Sequence, residues 1–284
     1  MGMEMKFKNA LGEVVLRGDS RGEFRICEVE GLAPVLNEYI TAVYSNYDGQ
    51  ETLSQRATPR AVTMRLEVAS SNSANPLRYA LRVLGEKGTL YIKTDEFERR
   101  IRCSQIQIPD VKKVLKGQIA TFTMQLICDN PYFEDAEDTV LPLYKRTKLL
   151  LTPFTLPTAF GELVLGGKIE IDGNISTEPI ITLYYPEALE AAESIVLTNE
   201  TTGKSIRLDY APQKDDTVTV DIKSRKITSS IAGNIINYLA DDSFLGDFVL
   251  VRGLNVISVN VGDVTAGFTA ECRYNNLYSE AVIV

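Results

Sequence analysis

Apolar residues recur at every second position through most of the chain. In "AVTMRLEVAS", Val62, Met64, Leu66 and Val68 share one face, and in "ATFTMQLICD", Phe122, Met124, Leu126 and Cys128 do the same. This period-two alternation predicts half-buried antiparallel strands. "GTLYIK" and "RRIRCSQIQI" read as two more strands, joined by the charged turn "TDEFE". One segment has helical spacing instead. In "NPLRYALRVLGEKG", Leu77, Ala80, Leu81 and Leu84 form an i, i+3, i+4, i+7 stripe, with Asn75 as N-cap, Pro76 in the first turn and Gly85 after the end. The expected role is a helix covering one face of a sheet.

The second half is nearly all strand. "ESIVLTNETTGKSIRLDY" reads as a hairpin, with Ile195 and Leu197 answered by Ile206, Leu208 and Tyr210 across the turn "NETTG". "DTVTVDIKSRKITSS" reads as another, with Val218, Val220 and Ile222 before "KSRK" and Ile227 after it. "GLNVISVNVG" and the final "EAVIV" add further strands. Many short strands broken by polar turns predict a β-sandwich.

Between the halves lies "QLICDNPYFEDAED", Gln125 to Asp138. Proline removes a ladder donor and four acids in five residues make poor strand material, so the stretch reads as a boundary. Tyr132 and Phe133 are expected to plug the core of the first domain. A stretch with three prolines, "LPLYKRTKLLLTPFTLPTAFG", leads onward. The division expected is a first domain over 1–142 and a second over 143–284, with 143–160 as linker. A second polar stretch, "YSNYDGQETLSQRATPR" from Tyr44 to Arg60, is long for a connection within a compact domain, and such loops commonly serve function. It is read as an arm reaching a neighbouring subunit, with Tyr44, Tyr47, Asp48, Gln50, Leu53, Arg56 and Arg60 as candidate interface residues.

Composition narrows the chemistry. At 284 residues, 44% apolar and 24% charged, the chain can bury a sizeable core. No apolar run approaches the length of a membrane span, and the start "MGMEMKFKNA" shows no secretory pattern. The net charge is −8: residues 1–142 hold 18 basic and 20 acidic side chains, the rest 12 and 18. That balance excludes a general nucleic-acid binder but suits a path along which nucleic acid passes without sticking. With no His, the Ser-His-Asp, Cys-His and His-metal constellations are excluded, and with no Trp a common sugar-stacking platform is missing. The four cysteines, Cys27, Cys103, Cys128 and Cys272, lack metal spacing and read as buried reduced thiols. The acidic clusters lack the calcium-loop pattern, and neither "VLGGK" nor "VLGEKG" has P-loop spacing. No catalytic signature, metal site or cofactor site emerges, so the chain reads as a non-enzyme.

The pieces taken in order, "YDGQETLSQR…RAVTMRLEV", "NPLRYALRVL", "TLYI", "CDNPYFED", "GNISTEPIITL", "IVLTNETTGKSIRL", "VTVDIKSRKITSS" and "SFLGDFVLVRGLNVISV", resemble the distal tail (Dit) proteins of long-tailed phages. The phrase Gly253, Asn255, Ile257 is among the more specific matches. The resemblance implies a mainly β fold: an N-terminal tail-tube-like β-sandwich or split barrel with one helix, then a galectin-like β-sandwich. It implies a structural component of a phage or phage-derived tail tip or baseplate, found in the virion tail and made in the bacterial cytoplasm. The implied partners are other copies of the chain in a hexameric ring, the tail tube protein, hub and tape-measure-associated proteins, and receptor-binding or side-fibre proteins. DNA passes only through the channel, and no membrane insertion is implied. The alternative is a carbohydrate-binding or adhesion module acting through the second sandwich, with Tyr or Phe stacking on the sugar beside Asn, Asp and Arg.

Overall fold

The computed structural model describes residues 3–19, 23–46, 48–69, 74–114, 119–147, 162–186, 188, 194–261 and 268–281. The chain divides into two compact units: Met1–Ala136 with Tyr278–Val284, and Glu137–Leu277.

Unit 1 contains β1 (Glu4–Asn9), β2 (Gly12–Arg17), β3 (Phe24–Glu30), β4 (Asn37–Ala42), β5 (Glu51–Ala57), β6 (Arg60–Ala69), α1 (Ala74–Val83), β7 (Gly88–Lys93), β8 (Glu98–Cys103), β9 (Gln105–Val114), β10 (Ile119–Cys128) and β11 (Phe133–Asp135). Unit 2 contains β12 (Thr139–Thr147), β13 (Glu162–Leu165), β14 (Gly167–Ile171), β15 (Ile180–Tyr185), β16 (Ile195–Asn199), β17 (Lys204–Leu208), β18 (Asp216–Asp221), β19 (Lys226–Ser229), β20 (Gly233–Asn234), β21 (Gly253–Asn260) and β22 (Thr269–Tyr274). At β23 (Leu277–Tyr278) the chain leaves unit 2 for unit 1. Of the expected linker, residues 143–147 complete β12, and 148–161 lie outside the described residues.

The main sheet of unit 1 has the order β23-β11-β8-β7-β1-β2-β3-β6-β10-β9. The single strand expected over 99–108 is two strands, because Ser104 breaks the alternation. There β8 turns into β9, and the Ser104 N–H donates to the Ile127 carbonyl at 2.8 Å. β8, third from one end of the order, thus meets β10, second from the other, and the sheet closes on itself as a barrel. Its interior holds the alternating side chains of the sequence pattern: Met5, Phe7, Val62, Met64, Leu66, Val68, Leu90, Ile92, Ala120, Phe122, Met124 and Leu126 are all at most 2% exposed. Phe133 joins them fully buried, and Tyr132 is half-buried beside it.

Helix α1 begins at Ala74, one residue before the expected cap. Leu77, Ala80, Val83 and Leu84 face the core, so Val83 joins the stripe and Leu81 lies only partly buried at its margin. The helix does not end on a left-handed Gly85. Its last carbonyls are capped from another element: Asn9 Nδ2 donates to the Val83 carbonyl at 2.6 Å and to that of Glu86 at 3.2 Å. A side chain that meets the orphan carbonyls removes the need for a glycine cap.

Unit 2 is a sandwich of a seven-stranded sheet, β13-β12-β22-β15-β18-β19-β20, and a four-stranded sheet, β14-β21-β16-β17. Both expected hairpins form, β16 with β17 and β18 with β19. One core joins inward residues of both sheets, among them Ile181, Leu183, Val218 and Val220 from the first and Ile169, Leu197, Ile206 and Ile257 from the second. The Gly253, Asn255, Ile257 phrase has a structural explanation. Gly253 takes φ +87°, which favours glycine, and Ile257 fills the core. Asn255 is fully buried and fastens the preceding turn: its Oδ1 accepts from the Val251 N–H at 2.9 Å, and its Nδ2 donates to the carbonyls of Val251 and Gly253 at 2.6 and 3.0 Å.

Candidate assembly interface

Strands β4 and β5 pair only with each other, in a two-stranded sheet of their own. The stretch read as an irregular loop is thus a β-hairpin for much of its length, an arm whose first strand begins seven residues before Tyr44. Sequence reading missed this because "NEYITA" and "ETLSQRA" alternate with no apolar face to bury. Every side chain of the two strands is exposed apart from the half-buried Ala42 and Ala57.

The register runs from Asn37 opposite Ala57 to Ile40 opposite Ser54, then resumes at Thr41 opposite Thr52. Leu53 is the extra residue on β5, a bulge that bends and twists the hairpin. Two devices fix the stem. The Thr58 N–H and Oγ1 both donate to the Leu36 carbonyl, at 3.0 and 3.1 Å. The Arg56 guanidinium forks onto Glu38 Oε2, through Nη2 at 2.6 Å and Nε at 2.8 Å. Both partners of that pair are solvated, so it contributes under about 1 kcal/mol.

The arm carries Leu36, Tyr39, Ile40, Val43, Tyr44 and Leu53, each between 51% and 77% exposed. Of the candidate residues, Tyr44, Asp48, Gln50, Leu53 and Arg56 lie exposed on the hairpin or its turn, and Tyr47 lies outside the described residues. Leu36, Tyr39, Ile40 and Val43 were not among the candidates, and they are the more apolar half of the feature. Period-two spacing alone could not find them, since it marks the inner face of a sheet.

Arg60 is a different kind of residue. It is 6% exposed at the base of the arm, next to a recess of about 340 Å3 lined by Gly31, Pro34, Leu36, Thr58 and Pro59. Its Nη1 donates to the carbonyls of Gly31 and Ala33 at 2.6 and 2.7 Å, its Nε to that of Pro131 at 2.7 Å, and its Nη2 to that of Ser279. The guanidinium lies 4.6 Å from the centre of the Phe133 ring. Burial lowers its pKa from the usual arginine value, against the opposing influence of Cys128 and Glu280. Gly31 takes φ +88°, and a Cβ there would meet the Ala61 carbonyl oxygen at 2.1 Å, so the chain enters the arm through a position open only to glycine. Arg60 is an anchor of unit 1, with these hydrogen bonds all made inside that unit.

Among the described residues no cluster of His, Cys, Asp or Glu could hold a metal ion, and no helix is long and apolar enough to cross a membrane. Cys27 is exposed, contrary to the expectation of four buried thiols, because it falls on the outer face of β3; Cys103, Cys128 and Cys272 are buried and free.

Residues 172–278 match the family described as siphovirus-type tail component, C-terminal domain. The crystal structure of the SPP1 Dit protein, described as a paradigm of the hub adsorption apparatus in phages infecting Gram-positive hosts, superposes with a TM-score of 0.65 at 12% identity, over 97% of this chain and 98% of that one. A chain of the phage P2 baseplate in its activated conformation with Ca gives a looser likeness, TM-score 0.48 at 13% identity, over 97% and 98%. No curated protein matches. Residues 172–278 thus carry the siphovirus-type tail component domain, and the chain over nearly its whole length shares the fold of the SPP1 Dit protein.

Proposed function

We propose that the chain assembles into a closed ring, a hexamer, joining the end of the tail tube to the tail hub, with unit 1 forming the ring and unit 2 docking peripheral proteins. The observation that carries this reading is the arm. Six large apolar side chains on a hairpin that packs on nothing of its own sheet are a poor arrangement for a monomer, and apolar patches of this kind mark protein contacts. A contact between the arm of one copy and a different surface of the next is heterologous, and heterologous contacts close into rings when the rotation permits. In this reading the tube protein and the hub with its tape-measure-associated proteins lie on the two sides of the ring, and receptor-binding or side-fibre proteins attach outside. The acidic balance of the chain suits a channel through which DNA slides. Light scattering with negative-stain microscopy tests the proposal on the full chain and on a variant with residues 37–57 replaced by a short Gly-Ser turn. Rings in the first and folded monomers in the second are expected; rings in both would remove the arm from the interface. A net basic lumen in an assembled structure would overturn the account of the channel.

A second reading, saccharide binding by unit 2, is favoured by one recess. About 340 Å3 in volume, it is lined by Arg207, Asp209, Asn237, Tyr238, Asp241 and Asp242. Tyr238 is 42% exposed and is braced edge-on by Tyr210, with centroids 5.2 Å apart. Its frame is rigid, since the Asp209 N–H donates to the Tyr238 carbonyl and the Ala240 N–H to that of Arg207. A glycan array with the full chain and Tyr238→Ala decides: binding lost in the variant supports the reading, and no binding by either refutes it.

A further inference from the structure

Two buried thiols in unit 1 have no role in the reading above. Cys103 ends β8 and Cys128 ends β10, and the Cys128 Sγ–H donates to Cys103 Sγ at 3.5 Å. They are 3% and 0% exposed and are not joined. They meet where the barrel closes: between them in sequence lie β9 and β10, and the next residue after Cys103, Ser104, is bound through N–H and Oγ to the Ile127 carbonyl. On its other side Cys103 lines an open recess of about 420 Å3, together with Lys87, Arg102, Ser104, Asp129 and Asn130. Cys103 therefore has a second sulfur beside it and borders a recess that opens to solvent, where Lys87 and Arg102 stand with one acidic side chain, Asp129.

We propose that Cys103 and Cys128 are a redox pair that closes to a disulfide when the protein passes from a reducing to an oxidising environment. A virion tail is built inside a cell and works outside it, and those compartments differ in the required sense. The oxidant is a low-molecular-weight disulfide, RSSR, admitted by the recess and favoured there by Lys87 and Arg102 when it is anionic. The Cys103 thiolate attacks one sulfur of RSSR, and RS⁻ leaves and takes up the proton that Cys103 gave up. The Cys128 thiolate then attacks Cys103 Sγ in the mixed disulfide and expels the second RS⁻, which is protonated in turn. Two protein thiols are oxidised by two electrons, and one RSSR is reduced to two RSH. The bond would staple a 25-residue separation across the base of the β9–β10 hairpin. Closing such a loop restricts the unfolded chain and should raise the melting temperature of unit 1 by about 5–10 °C.

The resting Cys103 thiol is unreactive. The hydrogen bond shared with Cys128, when the Cys103 proton lies in it, and then burial push the Cys103 thiol well above the ordinary cysteine range. Closure is therefore slow at neutral pH and should accelerate about tenfold per pH unit below that range, as the thiolate fraction grows.

The test uses the full chain with Cys27→Ser, which removes the exposed thiol and with it links between copies. The protein is incubated with oxidised glutathione, quenched in acid, unfolded and labelled with a maleimide polymer. Three labels before oxidation and one after are expected, with a mass lower by two hydrogens and a mapped peptide linking Cys103 to Cys128. Adding Cys103→Ser should leave two labels after the same treatment. Three labels remaining, a glutathione adduct that does not resolve, or a link to Cys272 would overturn the proposal. Peptide mapping of the parent decides the matter even if the added variant does not fold.

Discussion

Replacing Arg60 by alanine separates an anchor from an interface residue. The side chain supplies charged donors to the carbonyls of Gly31, Ala33, Pro131 and Ser279, and its guanidinium covers the ring of Phe133. Hydrogen bonds from a charged donor contribute about 1.5–3 kcal/mol each when isolated, but four sharing one group are not additive, and some of the freed carbonyls will recover water. Allowing about 0.7–1 kcal/mol for each carbonyl and about 1 kcal/mol for the ring contact gives a loss of about 4 kcal/mol. Hydrogen exchange read by mass spectrometry reports unit 1 separately from unit 2. Amides in β6 and β10 that exchange by global opening should exchange about 1000-fold faster in Arg60→Ala. Arg60→Lys keeps the charge but loses the planar fork, and should fall between the two. Arg56→Ala, four residues away on the arm, should change stability by under about 0.5 kcal/mol. A loss below about 1 kcal/mol for Arg60→Ala, or equal effects at the two arginines, would refute the assignment.

Three further outcomes follow from other parts of the molecule. Leu36→Ser with Val43→Ser should leave the melting temperature of the protein within about 2 °C, since both side chains are at least 75% exposed, while the assembled mass seen by light scattering falls toward that of one chain. Asn255→Ala should cost unit 2 about 2–4 kcal/mol in urea denaturation, because the Val251 N–H and the Val251 and Gly253 carbonyls lose their partner inside a buried turn. Asp216 is fully buried; burial pushes its pKa up, but donors from Ser229, Ser230, Tyr210 and the Ile231 N–H outweigh that and hold it below the ordinary aspartate value. A carboxylate with a lowered folded pKa stabilises above its unfolded pKa of about 3.9 and loses that contribution as pH falls through the folded value. The stability gap between the parent and Asp216→Asn in unit 2 should therefore be full at pH 6 and shrink below about pH 4; a gap independent of pH would contradict this.

What was legible in the sequence was whatever one buried face imposes on one element. Val62 to Val68 and Phe122 to Cys128 alternate because they line the barrel, and the turns "NETTG" and "KSRK" were visible because each joins two such runs. Features that depend on a meeting of distant residues were not legible. Asn9 capping α1 and Ser104 turning the sheet back on itself leave no local signature. The arm was seen as a long polar stretch but not as a hairpin, because strands that bury neither face give no period. Arg60 and Arg56 look alike in sequence; only the carbonyls of Gly31, Ala33, Pro131 and Ser279, brought together by the fold, make one of them an anchor.

The size of the apolar arm bears on how a ring would assemble. Six side chains of roughly 150–200 Å2, half to three-quarters exposed, place roughly 600 Å2 of apolar surface on the hairpin, at the upper end of what monomers show. Covering all of it at about 25 cal/mol per Å2 gives about 15 kcal/mol before costs. Association itself costs about 4–15 kcal/mol in lost translational and rotational freedom, and ordering the hairpin adds to that. One arm in one acceptor therefore leaves a pair only weakly held, whereas closure of a ring adds a further contact without another loss of free translation. Assembly should accordingly be steep in concentration, passing from monomers to complete rings with few open intermediates. Mass photometry across a dilution series would read this directly, and abundant stable dimers would mean that a contact other than the arm holds the copies together.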